Sequence, residues 1–594
     1  EPTQRDDMPI IVPPGLQYTA TIGASALKMA ENARPWLNDN ENNGSNNWVV
    51  AGSRTTSGLP LLANDPHLGI LAPSIWYENH LHAPDYHVAG ASFAGVPGVI
   101  IGHNERIAWG VTNGMTDIQD LYIERFDPND STGRRYEYQG EWLQADLIYE
   151  TIHVKGGAPV IEPVRVTRHG PIITPLANTD GVRDTQPLAL RWTALDSSTL
   201  FDAVLELNRA TDWESFRTAL SKWDVPPQNF VYADVEGHIG YQLAGAIPMR
   251  SNSDGRVPVP GWSGEYEWQG YVPFAQLPAS YDPAAGFIAT ANNRIVPLDR
   301  TPAIRGEWSN GWRAARIIQR ITQQARHDAA SFAHIHADHF HMGSHDIIGL
   351  AGRLPDGDAV ANQARALLSA WDGMVSTHSI AATIALQFVD ELQRVVFAQL
   401  LPIMDRNIGM GAFVGRPGRE YMNRATPDLL RAAFLNDNDW FGDTRAWDDI
   451  IPAAWQKTVA VLKKRLGNNP NQWRYGAWHT ITLTHAMGSL PLVGKLFNRG
   501  PFELGGNRDT VNMGDINTQI NGATNYTCPS LRIICDTSDW DLCKSIHPVG
   551  QSGHLLSSHY ADFVNAWLNV EYHPMPWQRR RVEEVCHETL TLVP

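Results

Sequence analysis

No stretch of 18 consecutive apolar residues occurs in this 594-residue chain, so no helix long and apolar enough to cross a membrane is expected. Positive charge is in deficit. Lys and Arg total 47 against 63 Asp and Glu, a formal charge of −16, which repels phosphate backbones and anionic lipid and argues against nucleic-acid binding. Cysteine is scarce: Cys528, Cys535, Cys543 and Cys586 are the full set of four. Cys535 and Cys543 are close enough in sequence to bridge a hairpin, and a paired set and four free thiols both stay open. No G-x-S-x-G elbow stands between a strand and a helix, and no H-E-x-x-H occurs, which removes two common hydrolase signatures.

Apolar residues make up 43% of the chain, ample for a sizeable core, and the length suits a large α/β or α+β enzyme. Residues 1–44 are Pro- and Asn-rich at both ends, with a helix-like stretch around Ala24–Trp36. The first residue is Glu1 and no secretory apolar segment follows, so either a removed leader or one piece of a longer precursor is expected. Residues 45–300 read as short strands separated by turn residues, the pattern of stacked antiparallel sheets. Residues 313–470 carry apolar positions at i, i+3 and i+4, the pattern of helices. Within them 380–403 is interrupted by Asp390, Glu391 and Arg394 and reads as a buried amphipathic helix.

The stretch ENNGSNNWVVAGSR, residues 41–54, joins a polar linker to a β-prone run. A cut before Ser45 would leave a serine at the start of a strand. Its own α-amine, with a reference pKa of about 7.7–8.0, could then deprotonate the hydroxyl without a histidine. On composition alone Gly-Ser in a polar loop is a turn. The surrounding motifs change that: LLANDPHLG, GASFAGVPGVIIGHNERIAWGVTNGMTDIQDLYIER, FVYADVEGHIGYQLAG, VPVPGW, GFIATANNR, GGNRDTVNMG and GQSGHLLSSHYADFVNAWLNVEYHPMPW. Together, in this order from Ser45 to about Trp577, they resemble the β-chain of the penicillin acylase family of N-terminal nucleophile hydrolases. The helical middle matches only loosely.

The resemblance implies a four-layer αββα sandwich with a helical insertion at about 313–470, in which 45–594 is the β-chain catalytic domain. Residues 1–44 would be spacer or the tail of an upstream α-chain. It implies self-cleavage at Gly44–Ser45, Ser45 as nucleophile, and an oxyanion hole from the backbone N–H of Asn113 and the side-chain amide of Asn292. His67, 22 residues after Ser45, would position the serine or its amine, and Arg313 would hold the geometry of Asn292. Arg316 reads as a salt-bridge residue. Leu68, Ile101, Val111 and Gln228 would line or border the acyl pocket. Because Gly44 and Ser45 are joined in the sequence, this form is expected to be uncut or partly processed, and inactive while the Ser45 nitrogen is acylated.

The loop TDIQD suits a hard cation that binds through oxygen. The resemblance implies structural Ca²⁺ on the Asp117 and Asp120 carboxylates and the Gln119 and Gly255 carbonyls, with Asp299 the closest match to a further acidic ligand. A solvated acidic turn is the plain alternative. The run HIHADHFHMGSHD carries His334, His336, His339, His341 and His345. His341 and His345 at i, i+4 admit a helical zinc site, but a polar helix end near the surface is the reading preferred here. The expected protein is thus an amide hydrolase acting on small N-acyl substrates such as acyl-homoserine lactones or penicillins. It would be periplasmic or secreted, paired with an α-chain, with no nucleic-acid partner and no cofactor for chemistry. An inactive or non-catalytic binding protein and a His-cluster metallohydrolase remain the rivals.

Overall fold

The structure is a computed structural model, and it describes residues 44–174, 186–297, 299–400, 415–438, 446–490, 492–516 and 526–592. The expected linker and helix-like stretch of residues 1–43 lie outside these.

Two antiparallel sheets face each other. The N-terminal strands are β1 (Gly44–Val50), β2 (Leu61–Gly69), β3 (Trp76–Ala83), β4 (Tyr86–Phe93), β5 (Ile101–Asn104), β6 (Ile107–Asn113) and β7 (Gln119–Ile123). The first sheet places β1 between β2 and the strand Phe287–Thr290, and continues from β2 into Arg532–Asp536, Lys544–Ile546 and His573–Pro574. The second runs from Ala279–Tyr281 through Ile239–Ala244 and Gln228–Asp234 to β6, β5, β4 and β3. All seven residues of β1 are buried, because this strand is covered on both faces. Trp48 and Val50 point to the outer helical layer, where they pack with Ile317, Ile321, Phe332 and Ile335. Val49 points the other way, toward the second sheet, as does its strand neighbour Asn47, which lies under Gly110 of β6. Helices thus lie outside the first sheet (Trp312–Thr322, Ala329–His336) and outside the second (Leu200–Leu207, Trp213–Leu220). The rings of Trp213 and Phe216 pack on Tyr232 and Phe230. This is the expected four-layer arrangement.

The helical expectation for about 313–470 holds among the described residues. Ile380–Leu400 packs on Trp447–Leu466 around a separate core containing Phe388, Leu392, Trp455 and Leu462.

Candidate active site

Antiparallel register sets the first relationship. Gly44 lies opposite His67 and Ser45 opposite Pro66. Side chains alternate along a strand, so Ser45 shares the inter-sheet face with Val49 while Asn46 shares the outer face with Trp48. The Ser45 N–H donates to Asn292 Oδ1 at 2.6 Å, and the Ser45 hydroxyl donates to the Gly44 carbonyl at 2.5 Å. The serine therefore sits against the carbonyl of the bond that precedes it.

Asn292 enters from the end of Phe287–Thr290 with φ of 63°, a left-handed conformation that asparagine tolerates better than most residues and that concentrates at functional sites. Its Nδ2 donates to the Asn113 carbonyl at 3.0 Å, and its Oδ1 also accepts from Arg313 Nη2 at 2.9 Å. With two donors on Oδ1, the orientation of the amide is fixed. Arg313, in the first turn of Trp312–Thr322, donates through Nη1 to the Ser45 carbonyl and to Asn46 Oδ1, both at 2.8 Å. Burial lowers its pKa to about 10, which leaves it charged at neutral pH. Ser45, Asn113, Asn292, Arg313 and His67, chosen from the sequence, are thus one cluster.

Behind Ser45 lies a buried polar network that the sequence reading did not include. His67 Nε2 is 2.8 Å from Asp65 Oδ2, and Asn46 Nδ2 donates to the same oxygen at 3.1 Å and to the Val511 carbonyl at 2.9 Å. His336 Nε2 stands 3.5 Å from Asp65 Oδ1, and its Nδ1 is 2.7 Å from the Tyr572 hydroxyl. Burial lowers the His67 pKa to about 4 against the opposing pull of Asp65, with Arg313 and Arg532 adding to the lowering. Burial would raise Asp65, but His67 and His336 override it and hold the carboxyl low. At neutral pH the pair is a carboxylate beside a neutral imidazole. With Nε2–H given to Asp65, Nδ1 is a bare acceptor, and it has no partner. Asn64 is a further missed residue. It donates to the Asn46 and Val111 carbonyls at 2.7 and 2.9 Å and accepts from Val111 N at 2.9 Å, tying the serine strand to β6 and so to Asn113.

Leu68, Ile101 and Val111 belong to one apolar cluster, but Val111 lies opposite Phe230 on the face of the second sheet that the outer helix covers. Gln228 lies opposite Asn113 in the β6 ladder. Leu68 and Ile101 bring no aromatic ring. A separate pocket of about 550 Å³ lies beyond β3 and β4, lined by Tyr77, Leu81, Phe93, Val96, Leu205 and Arg209 among others. None of the four expected acyl-pocket residues lines it.

Asp117 and Asp120 do converge. Gly255, with φ of +82°, approaches so closely that a Cβ there would lie 2.4 Å from Asp117 Oδ2 and 2.7 Å from Asp120 Oδ1, so only glycine fits. Arg250 reaches both carboxylates, Nε to Asp120 Oδ2 at 2.8 Å and Nη2 to Asp117 Oδ2 at 3.3 Å. One guanidinium does not balance two carboxylates. Desolvation, offset in part by Arg250 and reinforced by the Asp120 charge, raises Asp117 to about 7. Two converging carboxylates with one charge in surplus suit a hard cation, while Arg250 and the Trp268 N–H already engage Asp120. Asp299 makes no hydrogen bond or ion pair with it.

The histidine run is dispersed rather than clustered. His334 and His345 are exposed, His336 and His341 buried, and the helices end at His336 and resume at Ser344. His341 and His345 therefore do not share a helix, and among the described residues no three His, Cys, Asp or Glu side chains are arranged to hold a metal ion. The surface reading of this run is corrected too: His336 reaches the network behind Ser45, drawn inward by Asp65 and Tyr572. Arg316 pairs with Asp338 at 2.7 Å, as expected of a salt-bridge residue.

The four-layer fold is that of the N-terminal nucleophile hydrolases, and the family match makes the chain an amide hydrolase. The chain belongs to the penicillin amidase family, whose profile matches residues 7–584. It is 31% identical over 595 residues to the acyl-homoserine lactone acylase QuiP of Pseudomonas aeruginosa, covering 93% of this chain and 69% of that protein. Against the penicillin acylase 2 proenzyme of Pseudomonas sp. strain SE83 identity is 31% over 563 residues, covering 92% and 69%. In fold it is similar to the thermostable penicillin G acylase from Alcaligenes faecalis, with a TM-score of 0.71 and 22% identity, over 92% of this chain and 99% of that one.

Proposed function

We propose that this chain is the precursor form of an acylase that cuts itself before Ser45 and then hydrolyses N-acyl amides through an acyl-enzyme on that serine. The observation that carries the reading is the placement of the Ser45 hydroxyl on the Gly44 carbonyl while Asn292 Oδ1 holds the Ser45 N–H. In processing, Ser45 Oγ adds to the Gly44 carbonyl carbon, the Gly44–Ser45 C–N bond breaks, and the nitrogen leaves as a free amine. Water then hydrolyses the Gly44 ester. In turnover the freed amine takes the Ser45 proton, Oγ attacks the substrate carbonyl, and the protonated amine returns its proton to the leaving amine. Water, deprotonated by the same amine, then cleaves the acyl ester and releases the acid with Ser45 restored. The Asn113 N–H and the Asn292 amide receive the oxyanion. Arg313 and the Asp65–His67 pair hold the serine in place.

Leu68, Ile101, Val111 and Gln228 border the acyl group, and the substrates are aliphatic N-acyl amides, acyl-homoserine lactones before penicillins. The names of the relatives support this substrate class, and the word proenzyme in one of them supports processing. An upstream α-chain completes the pocket, and the mature enzyme works in the periplasm or outside the cell. Asp117, Asp120, Gln119 and Gly255 would hold Ca²⁺, which when bound supplies positive charge that ties β7 to the Gly255 loop and takes no part in the chemistry.

The test is Ser45→Ala. The variant should remain a single uncut chain by intact mass and N-terminal sequencing, with no amide hydrolysis above background. An Ala variant that hydrolyses at the parent rate would remove Ser45 from the mechanism.

A further inference from the structure

Far from Gly44, two thiols and an imidazole meet at the rim of the inter-sheet core. Arg532–Asp536 and Lys544–Ile546 pair in antiparallel register, with Ile534 opposite Lys544. One step further along that register places Cys535 opposite Cys543. Cys543 is extended, with φ of −63° and ψ of 147°. Its N–H bonds the Trp540 carbonyl and its own carbonyl accepts from Met575, so its backbone hydrogen bonds are made elsewhere than to Cys535. Positions opposite each other without exchanging ladder bonds have the closest side chains in an antiparallel pair, within the separation a disulfide spans. Both thiols are fully buried and free.

The imidazole comes from the other sheet. His103, on β5, is buried and stacks on Trp540 with ring centroids 4.4 Å apart. Its Nδ1 lies 3.1 Å from the Asn104 carbonyl, so Nδ1 carries the proton and Nε2 is a bare acceptor with no nitrogen or oxygen partner. The Cys543 thiol lies in contact with both Cys535 and this imidazole. The turn leading into Cys543 reaches the surface, with Leu542 48% exposed, which gives a reagent its approach.

We propose that Cys535 and Cys543 are a thiol–disulfide couple served by His103 as proton acceptor, and that oxidation clasps the strand Arg532–Asp536 to its neighbour. His103 Nε2 takes the Cys543 proton, and the thiolate attacks one sulfur of a disulfide oxidant RSSR, releasing RS⁻ and leaving a mixed disulfide. The RS⁻ collects the proton from His103. The Cys535 thiol then loses its proton the same way and displaces the second RS⁻. Two electrons pass to the oxidant, which leaves as two RSH. Thiolate attack on a disulfide is the general route for such exchange, and the base matters because the thiolate is the nucleophile.

The experiment incubates the full reduced chain with oxidised glutathione and counts thiols by alkylation in denaturant, followed by a non-reducing digest. Two of the four thiols should be lost, the chain should become two hydrogens lighter, and one cross-linked peptide pair should join Cys535 to Cys543. C535A and C543A should each abolish that cross-link, while C528A should retain it. H103Q should form the same cross-link at least tenfold more slowly at neutral pH, with the difference closing as pH rises. Four alkylatable thiols after oxidation, or a bridge through Cys528 or Cys586, would overturn the couple. H103Q oxidising at the wild-type rate at every pH would overturn the role of the imidazole.

Discussion

His67 faces Gly44 directly across the β1–β2 ladder, its Nε2 held by Asp65 at 2.8 Å and its Nδ1 open. A Cβ on Gly44 would lie 3.2 Å from that Nδ1 and equally close to Arg313 Nη2 and Asn292 Oδ1. Three groups therefore press on the residue before Ser45, and a side chain larger than hydrogen would force them to yield.

A pH dependence follows from this burial. His67 titrates near 4 in the folded chain against 6.5 for a free imidazole. Between those values the unfolded chain binds the extra proton, so stability is full above about pH 6.5 and falls as pH drops toward 4. The difference amounts to about 3 kcal/mol at most. Tm should decline over this window, and His67→Gln, which cannot protonate, should flatten the slope even if its Tm at neutral pH is lower. An unchanged slope would show that His67 is not the buried base responsible.

The oxyanion donors separate by substitution. Removing one such donor costs about 10²–10³ in kcat. Asn292→Ala should lose that much per processed molecule with KM little changed, and should also slow self-cleavage because Oδ1 no longer holds the Ser45 N–H. Asn113→Ala should be mild, since its place in the ladder opposite Gln228 fixes the backbone whatever the side chain. A severe Asn113→Ala defect beside a silent Asn292→Ala would reverse the assignment.

Ser45, His67, Asn292 and Arg313 were legible because a set of motifs in fixed order marked them, and the helices after residue 312 because amphipathic helices repeat their apolar positions. Asn46, Asn64 and Asp65 were not. They sit on strands buried on both faces, where polar residues follow no alternation that would reveal a partner. Their roles depend on register and on contacts hundreds of residues away, such as Asn46 with Val511 and His336 with Tyr572. His336 shows the limit most clearly: five histidines in thirteen residues suggested a local cluster, yet the chain turns between His336 and Ser344 and sends them to different places.

Calcium is testable without activity. Metal analysis of the purified chain should find calcium near stoichiometry, and EGTA should lower Tm, with restoration by Ca²⁺ but not by Mg²⁺, whose octahedral demand suits this loop poorly. Asp117→Asn should remove both the bound metal and the EGTA effect. A chain free of calcium, indifferent to EGTA and unaffected in Tm by added Ca²⁺, would leave Arg250 as the only cation of this site.

Acyl preference is the remaining expectation. Ile101 is fully buried and Val111 is 8% exposed, and with Leu68 they contribute branched aliphatic side chains to one apolar cluster. A phenyl ring gains from offset or edge-to-face contact with other rings, and at these three positions it finds none. A linear chain gains about 0.8 kcal/mol for each CH₂ it buries, close to fourfold in kcat/KM per carbon until the channel ends. The processed enzyme with its α-chain should therefore show kcat/KM rising with acyl length and exceeding that for a phenylacetyl amide of the same leaving amine. Leu68→Phe should narrow the gap by shortening the channel and offering a ring. A phenylacetyl substrate that wins outright in the parent enzyme would overturn the aliphatic pocket while leaving the Ser45 chemistry intact, because acyl selection and nucleophile activation are read from different residues.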